Sequence, residues 1–121
     1  EAGLRLSNLG RGSIIFTGAT ASFRSRSPFM AFASAKAGLR SVAQAFAREL
    51  GPKGVHVGHL IIDGAIDGER QHKRNPRIVE RMGENGLLHP DAIAESCWHL
   101  HRQHPSSWTH EIDLRPFKET F

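Results

Sequence analysis

Apolar and polar positions along this chain switch between a period of two and a period near 3.6, and the switches predict alternating strands and helices. Ser13-Ile14-Ile15-Phe16-Thr17 is a short β-branched and aromatic run bracketed by Gly10, Gly12 and Gly18, the pattern of a buried strand, and the residues before it read as the end of a helix. A polar loop then runs through Ser27. Pro28 suits a first helical turn, where its missing N–H would be unpaired in any case, and Ser27 is the expected N-cap. From there Leu39, Val42, Ala43, Phe46, Ala47 and Leu50 keep the spacing of a helix that buries one stripe, and Gly51-Pro52-Lys53-Gly54 stops it.

Val55 to Ile62 reads as a second strand. Val55 and Val57 alternate and Leu60-Ile61-Ile62 is continuous, as in a strand covered on both faces, and Asp63-Gly64 ends it. The stretch from Ala65 to Pro76 is polar and reads as a long loop, of the kind that is functional or mobile, with a short helical piece around Ile78, Val79 and Met82. Pro90 and Asp91 open a helix through about Arg102, with Ile93, Cys97, Leu100 and Trp98 inward, and Glu111-Ile112-Asp113-Leu114 forms a last strand before Pro116. Strand, helix, strand, helix, strand in this order predicts parallel pairing through crossovers, hence an α/β sandwich.

With 121 residues the chain suffices for one compact domain. A hydrophobic share of 39% against 23% charged residues excludes a disordered composition. No apolar run approaches the roughly 20 residues that cross a bilayer, and neither a membrane nor a signal peptide is expected. A chain that opens at Glu1 is what a processed or partial segment would show. Cys97 is the single cysteine, so no internal disulfide forms and a reducing cytoplasm is the expected setting. The formal charge of +4 is spread over separate loops, with Arg24 and Arg26 in one and Lys73, Arg74 and Arg77 in another, so no nucleic-acid partner is expected.

Phe32-Ala33-Ser34-Ala35-Lys36 resembles the Y-x-x-x-K motif of the short-chain dehydrogenase/reductase family, with phenylalanine in the first place. The segment from Gly12 to Ala19 is similar to the strand that delivers the family's catalytic serine, and Ala43 to Val57 looks like its helix ending in L-A-x-E-L and the G-I-x-V strand that follows. Asp63-Gly64-Ala65-Ile66-Asp67-Gly68 sits where the family has P-G-x-x-x-T, and Trp108 to Arg115 is similar to its last strand. The likeness runs from about Gly10 to the end. It implies a three-layer Rossmann-like α/β fold with a partial parallel sheet, residues 1–121 forming the C-terminal half of a doubly wound domain that usually has about 200–250 residues.

The chemistry that the resemblance implies is hydride transfer between NAD or NADP and a carbonyl or alcohol. In the family a tyrosine moves the proton, a lysine lowers that phenol's pKa and holds the ribose, and a serine polarises the carbonyl. Lys36 stands at the lysine position, Phe32 at the tyrosine position and Ala19 at the serine position, so both hydroxyls are missing. Thr17, Thr20 and Ser22 are the nearby hydroxyls. Gly64 and Ile66 fall on the cofactor-binding stretch, Ile66 where a backbone meets the nicotinamide carboxamide in relatives. The glycine-rich pyrophosphate turn of the family's N-terminal half has no counterpart here.

Two readings therefore stand side by side. One is an NAD(P)-dependent oxidoreductase fragment, weak or inactive as this chain, which binds a small molecule and draws its dinucleotide half from elsewhere. The other is a non-catalytic oligomerisation or ligand-binding module on the same scaffold. Ala33, Ala35, Ala37 and Gly38 give the long helix a second, small-residue face, and the first strand would present an open edge, so a homo-oligomer or an N-terminal half is the expected partner. His101 and His104, three apart on a helix, are the nearest approach to a metal pair, and no metal site is expected from them.

Overall fold

The computed structural model describes residues 1–120. Helix α1 (Ala2–Leu9) leads into strand β1 (Gly12–Ala19), helix α2 (Met30–Leu50), strand β2 (Val55–Ile62), the short helices α3 (Glu69–Arg74) and α4 (Ile78–Met82), helix α5 (Pro90–Arg102) and strand β3 (Glu111–Leu114). The strands form one parallel sheet in the order β1-β2-β3. Parallel neighbours require crossovers, and the helices between successive strands provide them. The expected partial parallel α/β sheet is what the chain forms.

All residues of β2 are buried, because it alone has a strand on each side and helices on each face. On one face Val55 and Val57 pack with Leu50 of α2, against Leu6, Ile14, Phe16 and Ala47. On the other, Leu60 and Ile62 pack with Leu88 and Leu100, against Ile15, Ile93, Cys97, Ile112 and Leu114. Sealing such side chains from water contributes about 1.5–3 kcal/mol each. The result is three layers: α1 and α2, the sheet, then α5. Among the described residues the β1 edge pairs on one side only, as expected of a strand lacking a neighbour. No helix among the described residues is long and apolar enough to cross a membrane.

Helix α5 and strands β2 and β3 occupy the residues that their patterns predict, and β1 outruns its apolar core because pairing continues through Gly18↔Ile61 and Ala19↔Ile62. Helix α2 differs. Ser27 is not its cap: the Ser27-Pro28 peptide is cis, the Phe29 N–H closes a turn onto the Arg26 carbonyl, and the helix starts at Met30 with Phe29 as its cap residue. Its inward line is also rotated, running through Ala33, Lys36, Arg40, Ala43, Ala47 and Leu50. Val42 is 44% exposed, and Phe46 meets Phe16 edge-on with ring centroids 5.9 Å apart at the rim of the sheet. Ala33 is buried and so leaves the small-residue face, whereas Ala35, Ala37 and Gly38 are exposed.

Further corrections fall in the second half. The polar loop from Ala65 contains α3, a short and wholly polar helix with Glu69 early and Lys73 and Arg74 late, which suits the helix dipole. Trp98 is not inward but 58% exposed, tilted against His101 at 5.1 Å. His104 lies beyond the end of α5 and accepts a hydrogen bond from the Ser106 N–H, while His101 pairs with Ser13, so the two rings serve separate contacts.

Candidate active site

Parallel strands all end on one side of the sheet, and ligand sites of such folds form beyond those ends. Three of the residues singled out by the sequence meet there. Ala19 is the last residue of β1, and its backbone N–H donates to the Ser22 hydroxyl at 3.2 Å, which closes the following turn. Phe32 and Lys36 lie one turn apart on the first half of α2, so both side chains leave the same face. The Lys36 ammonium stands 5.8 Å from the centre of the Phe32 ring and donates to the Thr17 carbonyl at 2.8 Å. Two of its three N–H donors remain beyond that bond. The Phe32 ring is 49% exposed.

Gly64 and Ile66 follow β2. Gly64 has φ 145, and a Cβ there would come within 2.9 Å of Pro116, so this bend requires glycine. Ile66 bridges Leu88 in parallel fashion: the Leu88 N–H donates to the Ala65 carbonyl and the Leu88 carbonyl accepts from the Asp67 N–H. Both bonds use the neighbours of Ile66. Its own N–H and C=O therefore lie outside the bridge, a donor and an acceptor side by side.

Two clusters that the sequence did not single out brace this end of the molecule. Asp63, 2% exposed, ends β2 where the family motif has proline, and it accepts from the Thr20 hydroxyl and from Arg24 Nη2, whose contacts are 3.0 and 3.3 Å. Arg115, which follows β3, approaches the same carboxylate at 3.5 Å and pairs with Asp113. One buried acid thus ties together the segments that follow all of the strands. Thr20 is committed to it, and Ser22 to Ala19, so two of the candidate substitute hydroxyls have structural duties.

The second cluster sits under α2, one turn past Lys36. Arg40 donates Nε and Nη2 to the two carboxylate oxygens of Glu111 at 2.7 and 2.6 Å, and His59 Nδ1 shares the first of these oxygens at 2.8 Å. The bonds from Arg40, with a smaller contribution from His59, outweigh partial burial and hold the Glu111 carboxyl down at about 2. An ionised carboxylate only accepts, so Nδ1 carries the proton. His59 is fully buried, and its Nε2 has no hydrogen-bond partner among the described residues; it abuts Gly18, where a Cβ would stand 2.2 Å away. The available signal was a pair of histidines, His56 and His59, inside a strand that is otherwise apolar and an arginine on the inward line of α2, but the common partner of His59 and Arg40 is far along the chain.

An open cleft of about 690 Å³ lies between the 21–28 loop and the start of α2, lined by Phe23, Arg26, Met30, Ala33 and Ser34 among others. It includes neither Phe32 nor Lys36. Among the described residues, no group of three or more His, Cys, Asp or Glu side chains is arranged to hold a metal ion.

Comparison with known proteins agrees with this geometry. The family model for short chain dehydrogenases matches residues 4–78, beginning upstream of the Gly10 at which the motif likeness starts. A short-chain dehydrogenase from Rhodopseudomonas palustris is 45% identical and superposes with a TM-score of 0.69, covering 93% of this chain and 42% of its own. Serine dehydrogenase in a closed form complexed with NADP+ shares the fold at 18% identity, with a TM-score of 0.80 over 96% of this chain and 48% of that one. An NADPH-bound short chain oxidoreductase from Pseudomonas aeruginosa PAO1, described as containing an atypical catalytic center, does so at 18% identity and a TM-score of 0.73, over 90% of this chain and 46% of that one. No curated protein matches. The chain spans less than half the length of each of these three structures. Its strand ends, its Phe32/Lys36 turn and the match over residues 4–78 lead to one conclusion, that it belongs to the short-chain dehydrogenase family.

Proposed function

We propose that this chain is the nicotinamide and substrate side of an NAD(P)-dependent oxidoreductase, and that by itself it turns over weakly or not at all. The observation that carries the reading is the position of Lys36. Its amine is tethered to the Thr17 carbonyl at the end of β1, beside the Phe32 ring, with two donors left for ribose hydroxyls. The Ile66 N–H and C=O suit a carboxamide, which needs one donor and one acceptor, and Gly64 lets the chain bend toward it. NAD or NADP would supply the hydride. The chain's own residues would orient the ring and exclude water from one of its faces.

Proton transfer is where this chain falls short. Phe32 has no proton to give, and Ala19 has no hydroxyl with which to polarise a carbonyl. A positioned general acid contributes about 10²–10⁴ in rate, so turnover below the family's ordinary range is expected. The NADPH-bound Pseudomonas oxidoreductase is a precedent, on the same fold, for a cofactor bound beside an atypical catalytic center. The unpaired β1 edge suits an N-terminal half or a second copy of this chain as partner, in a reducing cytoplasm.

Titration with NADH and with NADPH while following nicotinamide fluorescence tests the reading. Saturable enhancement is expected for at least one of them, and Lys36→Ala should abolish it. No response to either at millimolar concentration would defeat the proposal for this chain. The second reading, a non-catalytic oligomerisation or ligand-binding module, draws on the loss of both hydroxyls, and reproducible carbonyl reduction that vanished in Lys36→Ala would remove it.

A further inference from the structure

We infer that Arg24, clamped by Asp63, is a recognition site for an oxyanion, a carboxylate or phosphate group on the substrate. Asp63 is almost fully buried, and burying a carboxylate is costly unless donors surround it. Thr20 and Arg115 already serve it from the turn after β1 and from the segment after β3. Arg24 adds to them in an unequal way. It spends only Nη2 on Asp63, at 3.0 and 3.3 Å, and its side chain remains 39% exposed. Nε and Nη1 make no hydrogen bond to any described residue. A guanidinium held at Nη2 keeps its Nε–H and Nη1 donors on different edges of the plane, each able to meet one oxygen of a planar or tetrahedral oxyanion, with less side-chain entropy left to lose on binding.

Location and charge support the same assignment. Arg24 lies on the loop that leaves β1 directly after Ala19, beyond the strand ends where Phe32 and Lys36 also stand. At these ends Arg24 and Arg115 meet Asp63, and Arg115 also pairs with Asp113, while Asp67, on the next loop, is turned to His72 and His89. Lys36, bonded to a carbonyl rather than to a carboxylate, adds positive charge at the same ends, which draws an anionic group in. That the oxyanion belongs to a substrate rests on the oxidoreductase reading; the anion site itself does not.

The test uses the ¹⁵N-labelled chain without cofactor, titrated with inorganic phosphate and, separately, with malonate, against sodium chloride at matched ionic strength. Saturable shifts of the Arg24 Nε–H and the Thr20 amide are expected with one probe or both, and the stronger probe identifies phosphate or carboxylate as the group recognised. A charge-assisted contact is worth about tenfold or more in affinity. Arg24→Gln should lose that, and Arg24→Lys most of it because a single ammonium cannot both hold Asp63 and present a separately directed N–H, whereas Arg26→Gln in the same loop should change it less than about twofold. Equal shifts with chloride, or equal weakening by Arg26→Gln, would overturn the site. Since no nicotinamide is present, its failure is separable from failure of the cofactor titration.

Discussion

Of the carboxylates that arginines hold in this chain, Glu111 and Asp63 are gripped in ways that differ in kind. Glu111 lies beneath α2, where Arg40 engages both of its oxygens and buried His59 takes a third bond. Asp63 is the more deeply buried acid, yet its Arg24 reaches in from a loop with one nitrogen and leaves the others outside. The first arrangement fixes a helix to a sheet. The second holds a partly exposed cation on the loop beyond the strand ends. The same residue pair can thus serve the fold or a ligand, and the number of donors left over distinguishes the two.

Acid should act on the Glu111 grip most strongly. Its carboxyl is held at about 2, against an ordinary value of 4.5. A depressed folded-state pKa stabilises the fold fully above the unfolded value, and the contribution disappears as pH falls from about 4.5 toward 2. At 1.36 kcal/mol per unit this amounts to at most about 3 kcal/mol, less whatever solvent screening removes. Urea unfolding followed from pH 6 to pH 2 should therefore show a steeper loss of stability in the wild type than in Glu111→Gln. Parallel curves would mean that the Arg40 bonds do not hold the acid in solution.

Gly18→Ala comes next. The new methyl would stand 2.2 Å from His59 Nε2, and that ring is tied to Glu111 at its other nitrogen with no exposed surface into which to swing. Overpacking of this kind costs about 1–3 kcal/mol, and a value near 2 is expected from the shift in urea midpoint. An unchanged midpoint would show that the ring moves, and the inner cluster would then be no tighter than the outer one.

How much of this could be read in the residues follows from the range over which each element is decided. Strand β2 and helix α5 were legible to the residue, one from an apolar run ending at Asp63-Gly64 and the other from Pro90 in its first turn. So was the shared face of Phe32 and Lys36, which i, i+4 spacing dictates. The rotation of α2 was not. Spacing alone allows a line through Val42 and Phe46 as readily as one through Arg40, and the choice is made by Glu111, which lies 71 positions further on. The start of α2 was misplaced because Ser27-Pro28 has the composition of a cap, while the chain makes a turn there first. Asp63 was noticed as a departure from the family's proline, but its role is defined by Thr20, Arg24 and Arg115, which converge only once the sheet has formed.

The smallest effect sharpens the comparison furthest. Arg24→Gln removes a cation from a buried acid, which taken alone argues for a large loss. Asp63, however, keeps the Thr20 hydroxyl and the nearby Arg115, and the opening left by Arg24 lies at a side chain already 39% exposed, where water can replace the lost donor. The expected cost is below about 1 kcal/mol, the range of a solvent-exposed pair, measured as the shift in urea midpoint at neutral pH. A loss as large as that of Gly18→Ala would place Arg24 with Arg40 among the residues that hold the fold. A small loss, found in the same variant that no longer recognises phosphate or malonate, would separate binding from folding at this position.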